Sequence, residues 1–267
     1  MNTPPAFDDA VDYYDETRAL SPEASAATTD LLAMEFAGCR RVLEVGIGTG
    51  LLAVPLIERG FRVDGIDLSQ PMLTRLREKV RPTTPLGLAT ADATRLPFRD
   101  DSFDGAFIRH VLHLIPEWDR ALEEVTRVVR PGGKFLVSIT DYTGLYREMQ
   151  ARFLADAGGL SLGPRLHPDD HRSLLQAMSR WESRGRRLPT VRGRRTLTIR
   201  QFLEHIEQGH YTWTWSATKR QRIAGATSLR AWLHRRFASL DHPVEPHYAV
   251  EWWAFDLPRQ RPWSTPA

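Results

Sequence analysis

The 267-residue chain carries one cysteine, Cys39. A single thiol excludes an internal disulfide and a cysteine-based metal cluster. It points to a buried, inert side chain in a reducing compartment, so a cytoplasmic location is expected. Long apolar runs are also missing. Charged residues make up 26% of the chain, the mean hydropathy is -0.38, and no segment approaches a spanning helix. The opening residues, MNTPPAFDDAVDYYDETR, are acidic and lack an apolar stretch, so they do not read as a secretory signal. The histidines lack ligand spacing with carboxylates, so no metal is expected. There is no internal repeat and no low-complexity tract. What remains is a chain long enough to bury a sizeable core, in one elaborated domain or two small ones.

What is present starts with Val42-Leu43-Glu44-Val45-Gly46-Ile47-Gly48-Thr49-Gly50. An apolar strand runs into three glycines at every second position, and Glu44 sits inside the strand. Glycines without a Cβ let the backbone approach a ligand closely. A strand that enters a Gly-rich turn and opens a helix is where α/β sheets bind nucleotide-like ligands. A second apolar strand, Phe61 to Asp67, ends in a carboxylate about 20 positions beyond the glycines, where a ribose diol is read. A dinucleotide site prefers G-x-G-x-x-G. The spacing here is G-x-G-x-G followed by Leu51-Leu52, which leaves two cofactor classes open.

Strands and helices alternate through the first half. A helix is predicted over Pro22 to Phe36, with Ser21 as cap and Leu31, Leu32, Met34 and Phe36 on its apolar side. Strand 42–46, helix 51–59 and strand 62–66 follow. Ser69 caps a helix to Val80, with Pro71 in the first turn. Then come strand 86–90, strand 104–109, a helix from Pro116 to Val129 that stops at Pro131-Gly132-Gly133, and strand 134–140. Such alternation implies a mostly parallel, doubly wound sheet with helices on both faces and ligands at the carboxyl ends of the strands. Glu44, Asp67, Asp92, Arg109, His110 and Asp141 fall at or near those ends. After Asp141 the alternation breaks. Residues 142–180 look helical, with a Gly/Pro-rich break at 158–168. Residues 187–199 are short and β-like, Ile199–Gln208 and Lys219–Phe237 read as helices, and Tyr248–Asp256 as a strand.

The blocks VLEVGIGTG, VDGIDLSQPML, ADATRLPFRDDSFDGAF and VTRVVRPGGKFLV, in that order and spacing, resemble the class I S-adenosylmethionine-dependent methyltransferases. The nearest type is the small-molecule group that includes the ubiquinone and menaquinone biosynthesis methyltransferases. The resemblance covers roughly residues 40 to 141. It implies a Rossmann-like, seven-stranded α/β sheet with a helical cap inserted after the fifth strand. The expected segments are a helical lid (1–40), a cofactor-binding core (41–141), a cap (142–186) and C-terminal elements completing the sheet and acceptor pocket (187–267). It also implies S-adenosylmethionine as cofactor and S-adenosylhomocysteine as product.

The resemblance assigns roles by position. Gly46, Gly48 and Gly50 pass under the methionine and ribose parts of the cofactor. Glu44 reaches its amino end, and Asp67 accepts from both ribose hydroxyls. Leu68 and Met72 border the adenine, although core packing explains them nearly as well. Asp92 meets the adenine amine beside the Ala93 amide, and Arg109 is counted with the cofactor residues. Tyr14 and Arg18, in a Y-D-x-x-R element, fold over the methionine end, with Tyr13 as the competing tyrosine. A solvated acidic arm accounts for that segment equally well.

A sulfonium is already activated, so the protein must mainly align an acceptor. A base is needed only where the acceptor must lose a proton, and histidine suits that task near neutral pH. His110, just past the fourth strand, is the leading candidate for base or acceptor contact. His113, three residues on and placed to share a helical face with it, is the second, although its apolar neighbours favour a core histidine. A histidine base tilts the acceptor atom toward hydroxyl oxygen, with nitrogen and carbon open. The Asn/Asp-Pro-Pro-Tyr/Phe motif of amide and nucleobase-amine methylases is absent. Tyr211, Trp213 and Trp215, alternating along one face of a strand or turn, are the acceptor-contact candidates; Trp181, Trp252 and Trp253 add aromatic surface. For any one of these rings core packing competes. The partner expected is a small-molecule acceptor, with no membrane and a monomer or homodimer as the assembly. Two alternatives stand beside this. Eight arginines between Arg180 and Arg200 suit an RNA methyltransferase, although the net charge is only +3 and a solvated arginine-rich face is common. The glycine loop with Asp67 suits an NAD-linked oxidoreductase.

Overall fold

A computed structural model describes residues 7–158, 171–244 and 247–260. The predicted break at 158–168 lies, beyond Gly158, outside them. Among the described residues the strands are β1 (Val42–Val45), β2 (Val63–Asp67), β3 (Leu88–Thr90), β4 (Phe103–Arg109), β5 (Val129–Tyr142), β6 (Gly185–Arg187), β7 (Val191–Arg194), β8 (Leu197–Thr198), β9 (Pro243–Val244) and β10 (His247–Asp256). The helices are α1 (Tyr14–Arg18), α2 (Pro22–Glu35), α3 (Ala53–Glu58), α4 (Gln70–Lys79), α5 (Trp118–Val128), α6 (Leu145–Asp156), α7 (His171–Ser179), α8 (Ile199–Gln208) and α9 (Lys219–His234). Among the described residues, no helix is long and apolar enough to cross a membrane.

The main sheet has the order β3-β2-β1-β4-β5-β10-β6, and β7 adds an eighth strand by pairing with β10. β3, β2, β1, β4 and β5 run parallel, as the alternation predicts, while β10 is antiparallel to β6. The inner strands are buried on both faces: every residue of β1 and β4 is buried. α5 packs Ala121, Leu122, Val125 and Val128 onto this sheet, the i, i+1, i+4, i+7 stripe of one helical face. Burying each of its larger aliphatics contributes about 1.5–3 kcal/mol.

Two local expectations change. β5 starts at Val129, directly after α5, and the Pro-Gly-Gly sits inside the strand instead of before it. The register slips there, from Phe103 opposite Val129 to Gly105 opposite Lys134. The extra residues bulge out and meet the end of β10: Gly132 N–H donates to the Pro258 carbonyl at 3.1 Å, and Leu257 N–H to the Gly133 carbonyl at 2.9 Å. On α2, Leu32 and Phe36 are fully buried but Met34 is 77% exposed. Residues four apart share a helical face, and the residue between them points away.

The chain forms two compact units. One is drawn from Met1–Ser21, Tyr142–Gly163 and Arg192–Ala249; the other from Pro22–Asp141, Pro164–Val191 and Val250–Ala267. These cut the chain differently from the four segments expected. α6 belongs to the first unit, whereas α7 buries Leu174, Ala177 and Met178 in the core of the second. The first unit has its own apolar core from α6, α8 and α9. α8 and α9 each begin with a capping box, Thr198 with Gln201 and Thr218 with Gln221. Gly225 lies inside α9 because Phe153 of α6 crosses it: a Cβ there would stand 2.7 Å from the Phe153 ring. Phe153 also meets Trp213 edge-on at 5.4 Å. Phe153→Ala should therefore cost about 3–5 kcal/mol of unfolding free energy, measured by urea denaturation followed through tryptophan fluorescence. A loss under about 1 kcal/mol would mean this core is not packed as described.

Candidate active site

The site is built where β1, β2 and β4 end. β1 leads into Gly46, Gly48 and Gly50, all with positive φ of 72°, 54° and 80°. Such angles favour glycine. At Gly46 the demand is also steric. A Cβ would stand 2.2 Å from Val111 Cγ2, so the loop after β4 lies directly on the glycine turn. Lys79, from the end of α4, donates to the Thr49 carbonyl at 3.0 Å and steadies the same turn.

Asp67 closes β2. Its Oδ2 accepts from Gly48 N–H and its Oδ1 from Ser69 N–H, both at 2.9 Å. Ser69 caps α4 as predicted, its Oγ accepting from Met72 N–H at 3.3 Å. The two hydrophobic neighbours separate. Leu68 is 68% exposed beside Asp67, whereas Met72 is 1% exposed, so core packing accounts for it. Asp92 lies on the loop after β3. Thr94 donates to its Oδ1 through N–H at 2.8 Å and through Oγ1 at 2.9 Å. Ala93 is buried.

Glu44 is the most demanding group. It is buried within β1, and its Oε2 has no hydrogen-bond partner among the described residues. Burial pushes its carboxyl well above the usual carboxylate range. The charge of Arg109 opposes this, Asp67 adds to the rise, and the Ala53 N–H, which donates to Glu44, lowers it. Arg109, at the end of β4 and also buried, is thus the electrostatic partner of Glu44 beneath the glycine turn. A buried carboxyl oxygen with an unused lone pair suits an ammonium group brought by a ligand.

His110 follows β4 with φ of 57°, a conformation uncommon outside glycine, and is half-buried. Non-glycine residues held in the left-handed region gather at functional sites. His113 lies in a short 3-10 turn, Leu112–Leu114, and meets His110 edge-on with ring centroids 6.3 Å apart. The two rings therefore come together through this turn and not along an α-helical face.

The first unit holds the remaining candidates. Tyr13, not Tyr14, stacks on His210, centroids 3.8 Å apart, while Tyr14 meets Phe7 at 6.4 Å. Arg18 donates to the His210 carbonyl at 3.1 Å. Tyr211 precedes a 3-10 turn (Thr212–Thr214) and Trp213 lies within it; the two rings stack at 5.1 Å and are buried in the unit's core with Tyr146 and Phe202, which accounts for both. Burial pushes the Tyr211 hydroxyl far above its ordinary range. Trp215 is half-buried, donating from Nε1 to the Gly209 carbonyl at 2.8 Å. In the second unit, Trp181 and Trp252 are core residues and Trp253 donates to His171 Nδ1 at 3.1 Å. Val111 and Lys79 give no local signal in the sequence, because each reaches the glycine turn from a distant element.

The fold is that of an α/β methyltransferase domain. Residues 43–137 match the family described as "Methyltransferase domain", and this segment is a domain of the class I S-adenosylmethionine-dependent type. Among curated proteins, a phosphatidylethanolamine N-methyltransferase of Cereibacter sphaeroides is 42% identical over 36% of this chain and 49% of its own. A demethylmenaquinone methyltransferase of Renibacterium salmoninarum is 33% identical over 57% of this chain and 65% of its own. The chain thus spans about half to two-thirds of the length of these curated relatives. A solved N-methyltransferase of Haemonchus contortus, in complex with phosphomonomethylethanolamine and S-adenosylhomocysteine, shares the fold. Its TM-score is 0.56 at 18% identity, over 94% of this chain and 57% of that one.

Glu44 carries a stability signature. Its folded pKa is raised, so the folded chain holds a proton that the unfolded chain releases at about pH 4.3. Wild-type stability therefore falls as pH rises from that value through the folded pKa. Glu44→Gln cannot ionise, so the variant's Tm minus the wild-type Tm should grow between about pH 4 and about pH 8 in calorimetric scans. A difference flat across that range would show that the carboxyl is not desolvated.

Proposed function

We propose that the protein transfers the methyl group of S-adenosylmethionine to a small organic acceptor. The observation that carries this reading is the buried Glu44 oxygen without a partner beside the glycine turn, set against the matched domain. Glu44 takes the ammonium of the cofactor's amino-acid end, with Arg109 balancing the carboxylate left behind. Gly46, Gly48 and Gly50 let the backbone lie against the chain and ribose. Asp67 accepts from the ribose hydroxyls and is held for that task by Gly48 and Ser69. Leu68 covers one side of the adenine. Both hydrogen bonds that the Asp92 carboxylate makes among the described residues fall on Oδ1, which leaves Oδ2 for the adenine amine.

When bound, the cofactor supplies a methyl group on a sulfonium, ready for in-line displacement. The protein's share is to align the acceptor and exclude competing water, which contributes about 7–11 kcal/mol where the geometry is right. His110 takes the proton of a hydroxyl acceptor; its strained backbone fixes the imidazole at the rim where β4 ends. His113 buttresses it. An oxygen nucleophile follows from this base, and the N-methyltransferase relatives make an amine the competing acceptor in any screen.

An RNA acceptor draws less support. Of the eight arginines between 180 and 200, Arg186 pairs with Glu35 at 2.7 Å, Arg187 with Glu251, and Arg200 with Asp241 at 2.8 Å. Arg195 donates to the Glu16 and Thr17 carbonyls. These guanidinium groups are committed within the chain.

Calorimetric titration with S-adenosylhomocysteine, with NADH in parallel, tests the reading. Micromolar binding of the first alone supports it; binding of NADH alone would make the chain an oxidoreductase. Asp67→Ala removes charge-assisted hydrogen bonds and should weaken S-adenosylhomocysteine binding at least about tenfold. His110→Ala should lower kcat about 100-fold or more and leave cofactor affinity within about threefold. A fully active His110→Ala enzyme would remove the base.

A further inference from the structure

We infer that Glu124 and Arg127, one turn apart on α5, are positioning residues that hold the loop carrying Asp92 at the adenine end of the site. The inference rests on the cofactor reading above and names a specificity device within it.

The loop from Ala91 to Asp101 must place one exposed carboxylate without a strand of its own beyond β3. It is anchored at both ends. Upstream, Ala91 N–H donates to the Asp67 carbonyl at 3.0 Å, which ties the loop to the residue that meets the ribose. Downstream, everything converges on α5. Leu96 N–H donates to Glu124 Oε2 at 2.7 Å. Arg127 Nη2 donates to the Leu96 carbonyl at 3.1 Å and Nη1 to the Phe98 carbonyl at 2.8 Å. Nη1 also reaches Asp100 Oδ1 at 2.8 Å. Asp101 N–H closes the loop on the Arg127 carbonyl at 3.2 Å.

The pair is itself locked. Arg127 Nε and Nη2 meet the two oxygens of Glu124 at 2.7 and 2.8 Å, a two-pronged geometry that a guanidinium makes and an ammonium does not. The side chains are only 30% and 19% exposed, which shields the charges from solvent. The Arg127 hydrogen bond holds the Glu124 carboxyl below its usual range, and Glu124 in turn pushes Arg127 upward. With the N–H and carbonyl of Leu96 both held, the turn from Asp92 to Arg95, closed by Arg95 N–H on the Asp92 carbonyl at 3.0 Å, has little freedom. Leu96 adds a buried side chain. The distance between the Asp67 and Asp92 carboxylates is therefore set by backbone anchors and not by contact between the two acids.

A pair that merely stabilises the domain would affect every ligand alike. A pair that positions Asp92 affects only what Asp92 reads. The probes are S-adenosylhomocysteine and S-inosylhomocysteine, in which an oxygen replaces the purine amine, titrated calorimetrically. Wild type should prefer the adenine form at least about tenfold, the scale of one hydrogen bond to a charged group. Arg127→Lys keeps the charge but cannot serve Leu96, Phe98 and Glu124 together, and should shrink the preference to within about threefold. Glu124→Gln keeps an acceptor for Leu96 N–H and should retain an intermediate preference. Asp92→Asn should abolish the preference, and adding Arg127→Lys to it should change the ratio no further. A preference that survives Arg127→Lys intact while both affinities fall together would overturn the inference, as would a wild type that does not distinguish the ligands. If wild type binds neither ligand, the cofactor reading itself fails.

Discussion

The Asp67 carboxylate is the constraint on which the site depends. One acid at the end of β2 receives the Gly48 N–H from the turn after β1 and the Ser69 N–H that opens α4. Two loops that would otherwise move independently are thereby held by one rigid group. The carbonyl of the same residue receives Ala91 from the next loop. Three connections at the carboxyl edge of the sheet thus refer to one residue, so ligand affinity and loop geometry cannot be tuned separately there. Backbone hydrogen bonds of this kind survive changes of side chain in the loops, which is how such sites keep a cofactor while their acceptors diverge.

Much of this was legible in the residues. The β-α alternation predicts the parallel strands, Ser69 predicts the α4 cap, and Ile199–Gln208 appears with the predicted bounds. Period and punctuation report local structure, and these elements are decided locally. The misreadings have a common origin in distant partners. Pro-Gly-Gly reads as a helix stop, yet it bulges within β5 because β10 arrives to receive it. Tyr211 and Trp213 alternate like ligand contacts, yet Phe202 of the preceding helix and Tyr146 of the distant α6 bury them. The Glu124-x-x-Arg127 spacing looks like an ordinary surface pair on a helix, and only the fold shows that backbone carbonyls are its true partners.

Glu44 and Arg109 show a different cost. Two ionisable groups sit among apolar strands, where carboxyl burial alone is unfavourable. Neither would improve a sheet whose only task was to fold. Local conflict of this sort marks a place selected for something other than stability, and here it coincides with a strained non-glycine backbone where β4 ends, at His110. Stability and binding pull in opposite directions at one residue.

The sheet order has a consequence in time. β10, among the last residues of the chain, lies between β5 and β6, which are formed from residues 129–142 and 185–187. β6 pairs with β10 through Arg187 opposite Trp253 and Gly185 opposite Phe255. A growing chain can build the parallel β3-β2-β1-β4-β5 block early, from near neighbours, but β6 has no place in the sheet until β10 exists. Until then the free edge of β5 is exposed, and the closing contact spans more than a hundred residues of loop. Folding on a ribosome should stall as an open-edged intermediate, with the long-range closure as its slow step and that edge as the point at which it aggregates.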